Sequence, residues 1–147
     1  MTIPSQYIKD EKLVDADKTR WCAKHLPASH TGFIFQDIDG VVRDFKGNVL
    51  LLEIKRMMAE TSTCQDVTLF LLHMALNRMK GKKVNMKKFR IPAEFTLKYH
   101  GLFILQIDGI HIETDDKYLN GLKVTNQELA DYLSFKKKFP WHKLSAS

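Results

Sequence analysis

Cysteine is scarce: two residues in 147, Cys22 and Cys64, with no CxxC around either. That excludes a disulfide framework and a zinc ribbon, and points to a reducing, intracellular setting. Long apolar runs are missing too. The opening MTIPSQYIKDEKLVDADK is polar where a secretory leader needs an apolar stretch, and no later run reaches membrane-spanning length. The expectation is a soluble, cytoplasmic protein that does not enter membranes. The four prolines and seven glycines are scattered, without repeats or low-complexity tracts, so nothing marks a linker. One domain over residues 1–147, ending in a basic tail over 135–147, is the expected organisation. The six histidines show neither HExxH nor paired spacing, and Cys22 with His25 is too little for zinc.

What is present is a core-forming composition, 44% hydrophobic, with a formal net charge of +6. Such an excess favours polyanionic partners, because Lys and Arg contacts to phosphate release condensed counterions. Residues 5–25 suit one or two helices before Pro27. Residues 32–37 (GFIFQD) and 41–45 (VVRDF) are β-branched and aromatic, and VLLLEIKR follows Lys46-Gly47-Asn48, so a hairpin is expected. The stretch from about Ser62 to Met79 is apolar on nearly every side, the pattern of a central helix buried against a sheet. KGKKVNMKKFR reads as a dense basic loop and FTLKYHGLFILQIDG as a further core strand. Thr125 or Asn126 with Glu128 can cap a last helix through Ser134. The order helix, hairpin, helix, strand, helix makes the class α/β.

A three-residue turn at Lys46-Gly47-Asn48 would set Phe45 against Val49, Val41 against Glu53 and Asp39 against Lys55, all on one face. Asp37 and Asp39 share a direction, as do Glu53 and Lys55, while Ile38, Leu52 and Ile54 point the other way. Carboxylates on strands that otherwise look buried are costly without a partner, and a bound cation removes that cost. Mg²⁺ takes oxygen ligands from one or two carboxylates and leaves positions for water and phosphate, which suits Asp39 and Glu53, with Lys55 beside the attacking water or scissile phosphate. Asp37 is either a further ligand or the solvated start of the turn.

Asp39 followed by Glu53-Ile54-Lys55 inside an apolar strand resembles the PD-(D/E)xK nuclease superfamily, in the manner of small phage or mobile-element nucleases. Ile38 stands where the motif has proline. The resemblance implies a restriction-endonuclease-like αβββαβ core, a central mixed sheet flanked by helices. It implies that Asp39 and Glu53 hold Mg²⁺, with Mn²⁺ able to substitute, and that Lys55 supports the nucleophilic water. Members often add an acidic residue on the first helix and a Gln on the helix after the ExK strand. Glu11, with rivals Asp10, Asp15 and Asp17, and Gln65 are the matching candidates.

Lys80, Lys82, Lys83, Lys87, Lys88 and Arg90 are read as phosphate contacts for DNA or as a solvated connector. Phe135, Phe139 and Trp141, interleaved with lysines in the tail, either pack the last helix or stack on bases. Asp108, Glu113, Asp115 and Asp116 form a solvated acidic turn. The expected function is a Mg²⁺-dependent DNA endonuclease, structure-selective and resolvase-like or site-specific and homing-type, acting as a homo-oligomer. The alternative is a non-catalytic nucleic-acid-binding protein on the same fold.

Overall fold

The computed structural model describes residues 16–28, 34–36, 40–56, 63–91 and 93–144. The class is mixed α/β. A helix α1 over 16–25 is followed by β1 (Ile34–Gln36), β2 (Val41–Arg43), β3 (Asn48–Arg56) and α2 (Thr63–Met79). Then come β4 (Lys83–Asn85), β5 (Glu94–Thr96), β6 (Lys98–Ile107), β7 (Lys117–Leu119), β8 (Leu122–Lys123) and α3 (Asn126–Leu133). Strand order in the main sheet is β1-β2-β3-β6-β7-β8, and β4 and β5 form a separate two-stranded sheet. Among the described residues no helix is long and apolar enough to cross a membrane.

Packing groups the chain into two compact units, one of residues 28–54 and 60–104, the other of 1–27, 55–59 and 105–147. In the first, β1, β2 and β3 form an antiparallel meander. At the start of β6, Lys98 N donates to Gly47 O (2.8 Å) and His100 Nε2 meets Asn48 Oδ1 (2.9 Å). β3 and β6 therefore begin at the same end and run parallel, which requires the crossover that α2 supplies. Val49, Leu51, Leu97 and Tyr99 form a core cluster joined by Val41, Leu76, Val84, Phe95 and Leu102.

The meander differs from the expected register. Val41 pairs with Leu51, Val42 with Leu50 and Arg43 with Val49, so the three-residue loop is Phe45-Lys46-Gly47. Two features select it. The Asp44 carboxylate accepts from Lys46 N (2.9 Å), Asn48 N (3.0 Å) and Asn48 Nδ2 (2.8 Å), closing the turn upon itself. Gly47, at φ +94°, occupies the last loop position, where such hairpins need a left-handed residue. The turn moves back by one residue and the pairing shifts by two. An even shift leaves every side chain on its expected face.

α2 covers the predicted span, yet it is no buried core helix. Leu69 is 6% exposed, while Val67, Phe70, Leu71 and Met74 are largely open to solvent. The basic stretch is also more ordered than a loop: β4 pairs with β5, Val84 opposite Phe95, and Val84 turns to the core cluster.

In the other unit the core is Trp21, Leu105, Ile107, Ile112, Leu119, Val124, Leu129 and Leu133. Thr125 caps α3 through a capping box: its side chain accepts from Glu128 N, and Glu128 accepts from Thr125 N. Phe139 is buried and packs edge-on against Tyr132, so that ring of the tail serves packing rather than base stacking. Trp141 remains 45% exposed.

Candidate functional site

β3 is long because its first half is aliphatic on both faces; Leu50 and Leu51 are each 1% exposed. The strand keeps its course into Glu53, Ile54 and Lys55, and period-2 alternation puts Glu53 and Lys55 on the face of Val49 and Leu51. Glu53 is half-buried, with Oε2 closed off from solvent. Lys55 is only 9% exposed. Two charged groups about 7 Å apart along one strand face have thus been taken largely out of water. Burial costs several kcal/mol per ion, so this is an arrangement a sequence keeps only where charge is matched or used.

Asp39, Asp37 and Glu11 lie outside the described residues. Gly40 is described and lies hard against β3: it accepts from Leu52 N at 2.7 Å. At φ +60°, a Cβ there would fall 1.7 Å from the Leu52 carbonyl oxygen, so only glycine fits. Asp39 is bonded to this glycine, and Glu53 follows Leu52. Gln65 lies in the first turn of α2, its side chain outside the described residues. Asp17, a rival to Glu11, already serves the fold, since its carboxylate is buried, accepts from Ile112 N (3.1 Å) and meets His111 Nδ1 (3.3 Å). Among the described residues no three His, Cys, Asp or Glu side chains group to hold a metal ion.

Lys80, Lys82, Lys83, Lys87, Lys88 and Arg90 are all exposed, and the β4–β5 hairpin carries most of them. Lys87 forms a 3.6 Å ion pair with Glu94 across it. Sequence reasoning missed the cleft beside this hairpin. Arg43, Asp44, Phe45, Met86, Ile91, Ala93, Glu94 and Phe95 enclose about 640 Å³, and Phe45 and Phe89 are 68% and 71% exposed. No local signal joins its walls, since Phe45 and Phe95 stand about fifty residues apart in the sequence.

No family model, curated protein or solved structure matches this chain. Its chemistry is therefore argued from its own side chains.

The described residues hold two further polar clusters. Asn77 Nδ2 donates to His73 Nε2 (3.1 Å), which leaves the proton of a neutral ring on Nδ1, donated to Tyr99 Oη (2.8 Å). Burial raises the Tyr99 phenol well above its ordinary range, so it stays protonated. Glu113 pairs with Lys24 (2.7 Å) and His25, and hydrogen bonds from both hold its carboxyl below the usual value. Asn126 Nδ2 donates to Glu113 O and Trp21 Nε1 donates to Asn126 Oδ1. The acidic turn thus anchors α1 through Glu113, while Asp108 and Asp116 stay open to solvent as expected.

Proposed function

We propose that this chain is a Mg²⁺-dependent deoxyribonuclease of the PD-(D/E)xK kind, an endonuclease on a restriction-endonuclease-like αβββαβ core. Glu53 and Lys55 carry this reading: a carboxylate oxygen closed off from water and a buried ammonium on one face of β3. The element order α1, β1, β2, β3, α2, with β3 beside β6, supports it. The Gly40–Leu52 bond supports a role for Asp39, since it holds the residue bonded to Asp39 against the residue that precedes Glu53.

A carboxylate oxygen withdrawn from water fits the hard-donor preference of Mg²⁺. In this reading Asp39 and Glu53 hold the cation, which when bound supplies positive charge to the scissile phosphate and acidifies water. Lys55 orients the attacking water or steadies the phosphate, with Gln65 and Glu11 completing the site. The exposed lysines of the β4–β5 hairpin take the DNA backbone, and Phe45 and Phe89 offer stacking surfaces. Structure-selective and site-specific cutting both use this chemistry.

A second reading, a non-catalytic nucleic-acid-binding protein, draws on the exposure of those lysines on and around the small β4–β5 sheet. Plasmid and branched DNA incubated with the protein in Mg²⁺, then in EDTA, separate the two. The nuclease reading expects cleavage that EDTA abolishes and that Glu53→Gln or Lys55→Met lowers about 10²-fold or more, with unchanged circular dichroism. DNA retention without cleavage of any substrate would leave only the binding protein.

A further inference from the structure

Helix α2 touches its own unit through a narrow seam. Leu69 is buried, Leu76 reaches the core cluster, and His73 between them bonds Tyr99. About 140° round the helix stand Val67, Phe70, Leu71 and Met74 at positions i, i+3, i+4 and i+7. They are 55%, 57%, 61% and 44% exposed. The helix is therefore apolar on two opposite sides, and its own unit covers one of them.

We propose that this second side is the interface of a homodimer, α2 packing antiparallel on α2 of another copy about a two-fold axis beside Phe70 and Leu71. Three observations choose the occupant. The first is area: the four residues present roughly 400 Å² of apolar surface, counting about 150–200 Å² for a fully open side chain of this size. With about 65% of a homodimer interface apolar, that corresponds to about 600 Å² per partner, or about 1,200 Å² in all, the lower end of the range for specific interfaces. The second is charge: from Val67 to Met79 the one permanently charged residue is Arg78, which leaves nothing to recognise a charged partner. The third is symmetry: centred between Phe70 and Leu71, the stripe sets Val67 against Met74 across the axis, small against large. It also holds the two Arg78 side chains about 22 Å apart, whereas parallel packing would press them together. The surface stands independently of the nuclease reading.

Sedimentation equilibrium of the full chain over a concentration series tests the proposal. The expected result is a dimer whose dissociation constant rises about 10²-fold or more in Leu71→Glu, while Ile91→Glu, an exposed apolar site elsewhere, leaves it unchanged. Should Leu71→Glu fail to fold, Leu71→Cys in a Cys22→Ser, Cys64→Ser background decides. Mild oxidation then traps a disulfide-linked dimer, and Met79→Cys in that background does not. A monomer at every concentration, or a dimer indifferent to Leu71→Glu, overturns the proposal. So does a monomer that floats with phosphatidylcholine–phosphatidylserine vesicles, which would make the stripe a lipid-facing surface.

Discussion

Replacing Gly40 by alanine probes the hairpin at the described residue nearest Asp39. Two costs add. The backbone at φ +60° is left-handed, which costs an L-residue about 1–2 kcal/mol. The new Cβ would also lie 1.7 Å from the Leu52 carbonyl oxygen, about 1.3 Å inside the 3.0 Å limit of real contacts. That neighbour is backbone and has no rotamer to change, so the strands must part. Parting them stretches the 2.7 Å Leu52 N–Gly40 O bond beside a buried Leu52, and leaving such groups unmet costs about 1–3 kcal/mol. The expected loss is about 3–4 kcal/mol. Gly81→Ala is the control: φ is +84° and no atom lies within 4 Å of its added Cβ, so only the conformational cost of about 1–2 kcal/mol applies. Urea unfolding with a shared m-value measures both, and a gap of about 2 kcal/mol corresponds to about 1 M in midpoint. Equal losses for the two variants would refute the close approach of Gly40 to β3, from which the proposed role of Asp39 draws support.

The remaining expectations concern the other elements. Thr125→Ala removes the acceptor for Glu128 N and should lower stability by about 1 kcal/mol, a Tm decrease of about 3 °C by calorimetry; Glu128→Gln should cost less. Because Glu113 is held below its ordinary value of 4.5 by Lys24 and His25, its contribution is present above that value and lost as pH falls through the lower folded one. Acid unfolding followed by tryptophan fluorescence should therefore be shallower in Glu113→Gln, and an unchanged acid limb would contradict the pairing. Neutralising Lys82, Lys83, Lys87 and Lys88 should flatten the salt dependence of DNA binding by about 0.9 for each phosphate deprived of its lysine, and an unaltered slope would put the DNA elsewhere.

Much of the architecture was legible because periodicity and local chemistry agree. The span of α2, the aliphatic run of β3 and the Thr125–Glu128 box each announce themselves within a few residues. The register was not, because choosing between two three-residue loops depends on the Asp44 carboxylate, whose triple acceptance from Lys46 and Asn48 is a side-chain event invisible to strand pattern. The exposure of α2 was misjudged for a different reason: a helix apolar all round reads as buried, and sequence does not say whether its cover lies within one copy. The faces of Glu53 and Lys55 survived the register change because it was even. The cleft at Phe45 and Phe95 joins segments about fifty residues apart, beyond any local signal.

The parallel junction of β3 with β6 also governs the sequence of assembly. The Asp44–Asn48 turn closes over 4 residues, whereas the Asn48–His100 contact closes over 52. With closure entropy growing as (3/2)RT ln n, the second contact starts about 2 kcal/mol behind the first. The β2–β3 hairpin therefore forms as a local event, and β6 must find an edge already built. Until it arrives, Leu50 and Leu51 lie on an open strand edge, and α2, which spans the interval, is the element that shortens the search.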